Sequence, residues 1–220
     1  MHVCIRSSPT CKLRGGPIIE GVTDQLSLSL WLARGSRSGR LRQFERLLRL
    51  FPFSQREQRQ SLVSVQAVDS TEPALLEKPF NGPVDVSEVI ATYQYYSGED
   101  LAYRLESWWD LWQFDEDWKL APSRVILACF GPEFNSAAGT MAGPEGQEDL
   151  RIDFGVDSYF LPLPEIPGSP KLIESNIKSL LRLVHELDSA LPVEKRKLET
   201  ESGENFAERL QTAIAGRSWM

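Results

Sequence analysis

Strict alternation of apolar and polar residues marks the first element of the chain. Leucines occupy every second position of Gln25–Leu32, which is the pattern of a half-buried strand. Over residues 39–51 the period lengthens to that of an amphipathic helix, with Ser38 as its predicted N-cap. A second alternating run, 61–68, predicts another strand, and the prolines within 70–83 indicate a loop or a weak edge strand.

The same order of patterns starts again after this loop. Residues 86–96 are interpreted as a strand, and Ser97 as the cap of a following helix. That helix would carry its apolar residues on one stripe, formed by Leu101, Leu105, Trp108 and Trp112. The runs 124–130 and 149–156 predict two further strands.

These elements predict an α+β fold. Two tandem β-α-β units, about 24–80 and 84–160, would share one mixed or antiparallel sheet with both helices on one face, as in a ferredoxin-like fold or a related one. Residues 24–168 would form this domain, and 169–220 a C-terminal helical extension packed on it. The extension would contain one long helix and a short last helix capped by Ser202.

The composition favours a soluble globular protein. Of the 220 residues, 41% are hydrophobic and 25% charged, and no apolar run approaches the roughly 20 residues that span a bilayer. Residues 1–23 lack the continuous apolar centre of a secretory signal and are expected to form a disordered leader. The spacing of Cys4, Cys11 and Cys129 matches no metal site, which favours a reduced, cytoplasmic protein without a cofactor.

Charge is unevenly distributed along the chain, whose formal net charge is −7. Residues 1–59 hold 11 Lys/Arg and four Asp/Glu, whereas 60–220 hold 13 Lys/Arg and 27 Asp/Glu. Between Arg34 and Arg59 there are eight arginines, no lysine and two glutamates. Arginine suits bidentate binding of carboxylate or phosphate, so this stretch is the strongest candidate for recognition.

The predicted partner-binding residues are Arg37, Arg40, Arg42, Arg46 and Arg49. One alternative is a solvated helix face, or a face that pairs with the acidic remainder of the chain. Another is contact with nucleic acid, which the acidic total disfavours. The charge segregation favours self-association, as in a homodimer, or binding of a protein partner.

Four tryptophans lie within the fourteen residues of Glu106–Lys119. An aromatic stripe at helical spacing is usually packing, so Trp108 and Trp112 are interpreted as core. The alternative is a platform that stacks a sugar or a base, or a pocket for a small ligand. Its predicted residues are Trp109, Trp118, Tyr93, Tyr95 and Tyr96.

Signs of catalysis are weak in this sequence. His2 and His185 are its only histidines, and no nucleophile elbow or phosphate-binding loop is present. Asp153, which alternates with Arg151 on a predicted strand, is the first acid/base candidate if its face proves concave. Clustered carboxylates there would suit Mg²⁺ or Ca²⁺, but without a loop motif no metal site is predicted. The sequence therefore favours a non-enzymatic interaction protein, with an enzyme or ligand-binding protein as the alternative.

Overall fold

The computed structural model describes residues 24–33, 39–56, 59–135, 147–161, 166–203 and 205–215, the last five of these without side chains. Its seven strands form one sheet in the order β3-β2-β4-β5-β6-β1-β7, and every pair of neighbours is antiparallel. The strands are β1 (Gln25–Leu32), β2 (Ser61–Ala67), β3 (Leu76–Phe80), β4 (Leu101–Asp115), β5 (Asp117–Phe130), β6 (Leu150–Val156) and β7 (Val193–Thr200). The helices are α1 (Arg40–Leu50), α2 (Val86–Tyr93), α3 (Ser169–Ala190) and α4 (Phe206–Ala215), with one 3-10 turn at Asp157–Tyr159.

The prediction of two tandem β-α-β units in a ferredoxin-like arrangement is wrong. Two antiparallel hairpins, β2–β3 and β4–β5, lie side by side, and β1 is inserted between β6 and β7 at the other end of the sheet. The error comes from the segment 86–112, where the predicted strand is a helix and the predicted helix is a strand. Because the helix comes first, strand β4 is followed directly by strand β5. The two strands form a long antiparallel hairpin instead of a β-α-β crossover.

The tryptophan stretch forms strand β4 and not a helix. Leu105 and Leu111 are fully buried and Trp109 is 3% exposed, whereas the side chains that alternate with them are partly accessible. Leu101, Leu105, Trp108 and Trp112 also recur at the spacing of one helical face. The sequence of this segment therefore fits both the helical period and the alternation of a strand. The density of aromatic residues, which strands prefer, and pairing along the whole of β5 decide for the strand.

Helix α2 occupies the segment that was interpreted as a strand. The carboxylate of Asp85 accepts hydrogen bonds from the main-chain N–H groups of Ser87 and Glu88, which caps the helix. Val89, Ile90 and Tyr93 are buried at the spacing of one helical face.

The helices lie on one face of the sheet and cover its apolar side chains. Leu28, Ile152, Leu127, Leu105 and Val63 form one row across five strands, and all five are fully buried. Helices α1 and α3 contribute the opposite wall of this core with the following buried side chains: Phe44, Leu47, Leu48, Ile173, Ile177, Leu180, Leu183 and Leu187. Within the described ranges, no helix combines the length and apolar character that a membrane crossing requires.

The predictions for the C-terminal quarter are partly confirmed. The long helix α3 is present, with Pro170 in its first turn. The segment predicted as a connection is strand β7, which pairs with β1 along its length and completes the edge of the sheet. Helix α4 begins at Phe206, and the side chain of Asn205, not that of Ser202, accepts a hydrogen bond from the helix start at Ala207.

The second face of the sheet carries polar and charged side chains. Ser29, Arg151, Arg104 and Ser64 lie in one row across it, together with Ala128. Phe134 covers Ala128 and Ala102 at one end, where the chain leaves β5. The helices therefore pack against one face only, and the grooves between them lie on the outside of that layer.

Candidate functional site

Helix α1 presents its arginines to solvent because its apolar side is fixed against the sheet. Phe44, Leu47 and Leu48 are buried, and this directs Arg42 and Arg46 outward from the opposite side of the helix. Arg49 is also exposed, and Arg40 at the first position is half-buried. Arg37 lies outside the described residues.

The exposed arginines of α1 are not paired with the acidic remainder of the chain. Arg49 binds Glu45 of the same helix, at 2.7 Å from Nη2 to Oε1, and its Nη2 also donates to the Ser87 hydroxyl at 3.3 Å. Arg46 donates to the side-chain oxygen of Gln43. Among the described residues, Arg42 has no hydrogen-bond or ion-pair partner. Of the alternatives for this face, internal charge pairing with the later part of the chain is therefore not seen among the described residues.

Two depressions follow the groove between α1 and α2. The first, about 470 Å³, is bordered by Leu41, Arg42 and Glu45 on one side and by Ile90 and Gln94 on the other. The second, about 540 Å³, lies at the far end of α1, beside Arg49, and is bordered also by Phe51, Phe53 and Val84–Val86. An arginine therefore stands at the edge of each depression.

Tyr95 projects from the chain immediately after α2. It is 87% exposed, the largest exposed fraction among the large hydrophobic side chains described. Its chain neighbours Gln94 and Tyr96 border the first depression and a third one described below, so Tyr95 lies in the chain segment between them. We call the surface formed by Arg42, Arg46, Arg49, Tyr95 and the two depressions the arginine face.

A third cavity, about 530 Å³, lies beyond the start of α1 and adjoins the first through Leu41 and Gln94. Arg40 borders it and donates from Nη1 to the main-chain oxygen of Phe130 at 3.2 Å. Tyr103 borders it from β4, and its hydroxyl donates to the main-chain oxygen of Tyr96 at 3.0 Å. We call this space the Arg40 cavity.

Cys129 lies in the wall of the Arg40 cavity with 1% of its surface exposed. Burial raises the pKa of its thiol to about 12, against a smaller lowering by the charge of Arg40. Burial likewise raises the pKa of the Tyr103 hydroxyl, and Arg40 lowers it. Cys129 is therefore a buried thiol that stays protonated at neutral pH.

Gly131 closes this wall by a backbone approach that excludes any side chain. A Cβ at this position would lie 2.0 Å from the main-chain oxygen of Glu99, well inside contact distance. The main-chain N–H of Gly131 donates to the oxygen of Leu101 at 2.7 Å, which holds the two segments together. Residues 97–101 and 129–132 thus meet only because position 131 is glycine.

The five aromatic residues predicted to bind a ligand do not share one surface. Trp109 is core and contacts the rings of Phe51, Phe154 and Phe160. Tyr93 is also core, and its hydroxyl donates to the main-chain oxygen of Arg104. Burial raises the pKa of Tyr93 well above its usual range.

The other three rings of that set are accessible at separate places. Trp118 stands at the tip of the β4–β5 hairpin, where it contacts Phe114 and donates its indole N–H to the Pro167 oxygen at 2.8 Å. Tyr96 borders the Arg40 cavity, and Tyr95 projects beside it. Trp109 and Tyr93 are thus core residues, whereas Trp108 and Trp112, which were interpreted as core, are partly accessible because they alternate with Trp109 along β4. A ligand-binding role for the remaining rings stays a prediction.

Asp153 lies on the uncovered face of the sheet beside a depression of about 280 Å³. It is bound by Arg151 at 2.7 Å, and Arg151 also contacts Glu148. Arg124 borders the same depression and is paired with Glu106. Among the described residues, no group of three or more His, Cys, Asp or Glu is placed to hold a metal ion. The acid/base role of Asp153 stays a prediction.

Sequence reasoning missed the Arg40 cavity because its wall is assembled from distant segments. The one local signal was Gly131, which follows a buried strand and would have indicated a close backbone approach. For helix α2, which the sequence reasoning also missed, the available signal was Asp85, a typical helix cap. Comparison with protein-family models, with curated proteins and with solved structures gives no match for this chain.

Proposed function

We propose that this protein is a non-enzymatic interaction protein that binds an acidic segment of a protein partner through its arginine face. One observation carries the proposal: Arg42 and Arg46 are exposed without a carboxylate partner among the described residues, and Arg42 borders a depression about 470 Å³ in volume. A cation beside a concave surface can bind a side chain from a second molecule. If the arginines only kept the helix solvated, no depression beside them would be required.

The residue types of the arginine face support the same proposal. Arginine and tyrosine are enriched among the residues that dominate binding energy at protein interfaces. Arg42 can offer two parallel N–H groups to one carboxylate, and Tyr95 supplies a large ring with few rotatable bonds. The exposure of Tyr95, 87%, is hard to explain by packing within the chain.

The nature of the partner follows from charge. The net charge of −7 repels nucleic acid over the molecule as a whole, although the arginine face is locally positive. A protein segment with a few carboxylates carries much less negative charge than a phosphate backbone. The acidic remainder of the molecule would therefore repel it less strongly as it approaches the arginine face. A second copy of this acidic chain is one such partner, so homodimerisation belongs to the proposal. The proposed setting is a reducing, cytoplasmic one.

The test compares two charge-reversal variants that differ only in their helix. Arg42→Glu with Arg46→Glu changes the arginine face, and Lys178→Glu with Arg182→Glu makes the same i,i+4 change on the exposed side of α3. Each protein is titrated into a fluorescein-labelled glutamate-rich peptide and, separately, into a labelled single-stranded oligothymidylate. Light scattering after gel filtration at low and high salt measures self-association of the same samples.

We expect the wild type and the α3 variant to bind the peptide or to self-associate, and the α1 variant to lose at least about tenfold in affinity. The effect should weaken with salt, since the screening length falls to about 8 Å at physiological ionic strength. Equal behaviour of the two variants would overturn the proposal. Preference for the oligonucleotide over the peptide would replace it by a nucleic-acid function.

A further inference from the structure

We infer that the Arg40 cavity is a binding site for a small monoanionic carboxylate with a flat apolar body. The cavity holds about 530 Å³, which lies within the range of small-molecule sites. Its walls come from α1, the start of β4 and the end of β5, together with the segment 94–99 that joins α2 to β4 and with Gly131 and Pro132. This inference is independent of the partner proposed for the arginine face.

Arg40 is the group that would orient the ligand. Its guanidinium is half-buried at the cavity, and Nη1 has one acceptor, the Phe130 oxygen. Among the described residues it has no carboxylate partner, although a guanidinium carries five N–H donors. A carboxylate can take two of the remaining donors in parallel, and such a bidentate, charge-assisted pair is stronger than a neutral hydrogen bond.

The other residues that line the Arg40 cavity determine which body, attached to the carboxylate, can bind there. Leu41, Leu101 and Pro132 are apolar, and Tyr96 and Tyr103 present aromatic rings, while Gln94, Ser97 and Glu99 add polar groups. Phe130 contributes its main-chain oxygen, since its ring stacks on Phe134. The hydroxyl of Tyr103 already donates its hydrogen to the main-chain oxygen of Tyr96. Tyr103 therefore offers a ligand its aromatic ring and not a hydrogen-bond donor. Such walls favour an aromatic or short aliphatic body over a sugar or an inorganic anion.

The charge of the cavity limits the ligand to a single negative charge. Arg40 is the one basic residue that borders it within the described part of the chain, and Glu99 also borders it. A dianion such as a phosphate monoester would leave one charge opposed by Glu99. A monocarboxylate matches the single guanidinium.

Isothermal titration calorimetry with phenylacetate as the probe tests the inference. The neutral control ligand is 2-phenylethanol, which has the same ring and chain but no carboxylate. The variant is Arg40→Gln, which removes the charge and retains a side-chain N–H, and the matched control is Arg46→Gln on the same helix outside the cavity. Thermal unfolding without ligand checks that both variants fold.

We expect wild type and Arg46→Gln to bind phenylacetate and Arg40→Gln to bind it at least about tenfold more weakly. Wild type should also prefer phenylacetate to 2-phenylethanol by about tenfold, a comparison that does not depend on the variant folding. Equal binding of the two ligands would overturn the inference in favour of a purely apolar cavity. Absence of phenylacetate binding to the wild type up to about 10 mM would also overturn it.

Discussion

The side-chain amide of Asn176 in α3 pairs with the main chain of Trp112 in β4 as a neighbouring strand would. Its oxygen accepts from the Trp112 N–H at 2.9 Å, and its nitrogen donates to the Trp112 oxygen at 2.9 Å. The same nitrogen donates to the Tyr159 oxygen at 2.8 Å. Strand β2 pairs with β4 only over 101–106, so the far half of β4 would otherwise be an unpaired edge here. A single buried side chain thus joins the long hairpin to the helical layer.

Replacing Asn176 by alanine should therefore destabilise the protein by about 3 kcal/mol, because three buried main-chain groups lose their partner. Asn176→Asp should also be unfavourable, since a carboxylate cannot donate to the two main-chain oxygens. Urea unfolding followed by tryptophan fluorescence measures the change. The control, Ser175→Ala at the exposed neighbouring position, should stay within about 0.5 kcal/mol of the wild type.

Gly131→Ala is predicted to be strongly destabilising, by about 3 kcal/mol or more, because its Cβ would lie 2.0 Å from the Glu99 oxygen. The obstacle is main chain, so no side-chain rotation can relieve it. Gly39→Ala is the matched change: no atom lies within 4 Å of its Cβ position, and we expect only the loss of about 0.5–1 kcal/mol that alanine brings at an N-cap. Similar unfolding midpoints for the two variants would contradict the close approach at Gly131.

The elements with one dominant period could be predicted from the sequence. The leucines of β1 alternate without exception, and α3 has buried residues at helical spacing over six turns. The amphipathic period of α1 could be predicted as well, and Arg42, Arg46 and Arg49 lie on the exposed side of this helix. These features depend on local periodicity alone.

The fold between α2 and β5 could not be predicted in the same way, because two periods fit it. In β4, leucines and tryptophans satisfy both a helical stripe and an alternating strand, and the partner strand β5 decides between them. The Arg40 cavity was unpredictable for a related reason: Arg40, Tyr103 and Phe130 meet only once the sheet order is known. Contacts between distant segments, and not local propensity, determine both the strand conformation of β4 and the formation of the Arg40 cavity.

Alkaline pH should destabilise the protein in part through Cys129. The pKa of its thiol is about 12 in the folded chain against a usual 9.0, so between these values the unfolded state releases a proton that the folded state retains. Stability from this group is therefore complete below about pH 9 and falls as pH rises, by up to about 1.4 kcal/mol per pH unit. Cys129→Ala should show a shallower decline above pH 9 in urea unfolding. An unchanged slope would contradict the assignment, whatever the variant's stability at neutral pH.

The C-terminal helix α4 is fastened to the sheet by a buried ion pair. Asp157, 1% exposed, accepts from Arg209 Nη1 at 2.6 Å and from the main-chain N–H of Asp24 at 3.2 Å. Phe206 of α4 packs beside the ring of Phe160, which lies three residues after Asp157. The ion pair and the ring contact thus hold α4 at one end of the core.

Asp157→Ala should release α4 before it unfolds the sheet. The substitution leaves Arg209 without its buried carboxylate, and losing one partner of such a pair is usually costly. Hydrogen exchange read by mass spectrometry should show amides of 206–215 exchanging at least about tenfold faster, while β4 and β5 keep their protection. Glu201→Ala, an exposed change shortly before the helix, serves as the control and should leave the exchange of α4 nearly unaltered. Uniform loss of protection in helix and sheet would instead mean that Asp157 supports the whole fold, since local release predicts a difference between the two.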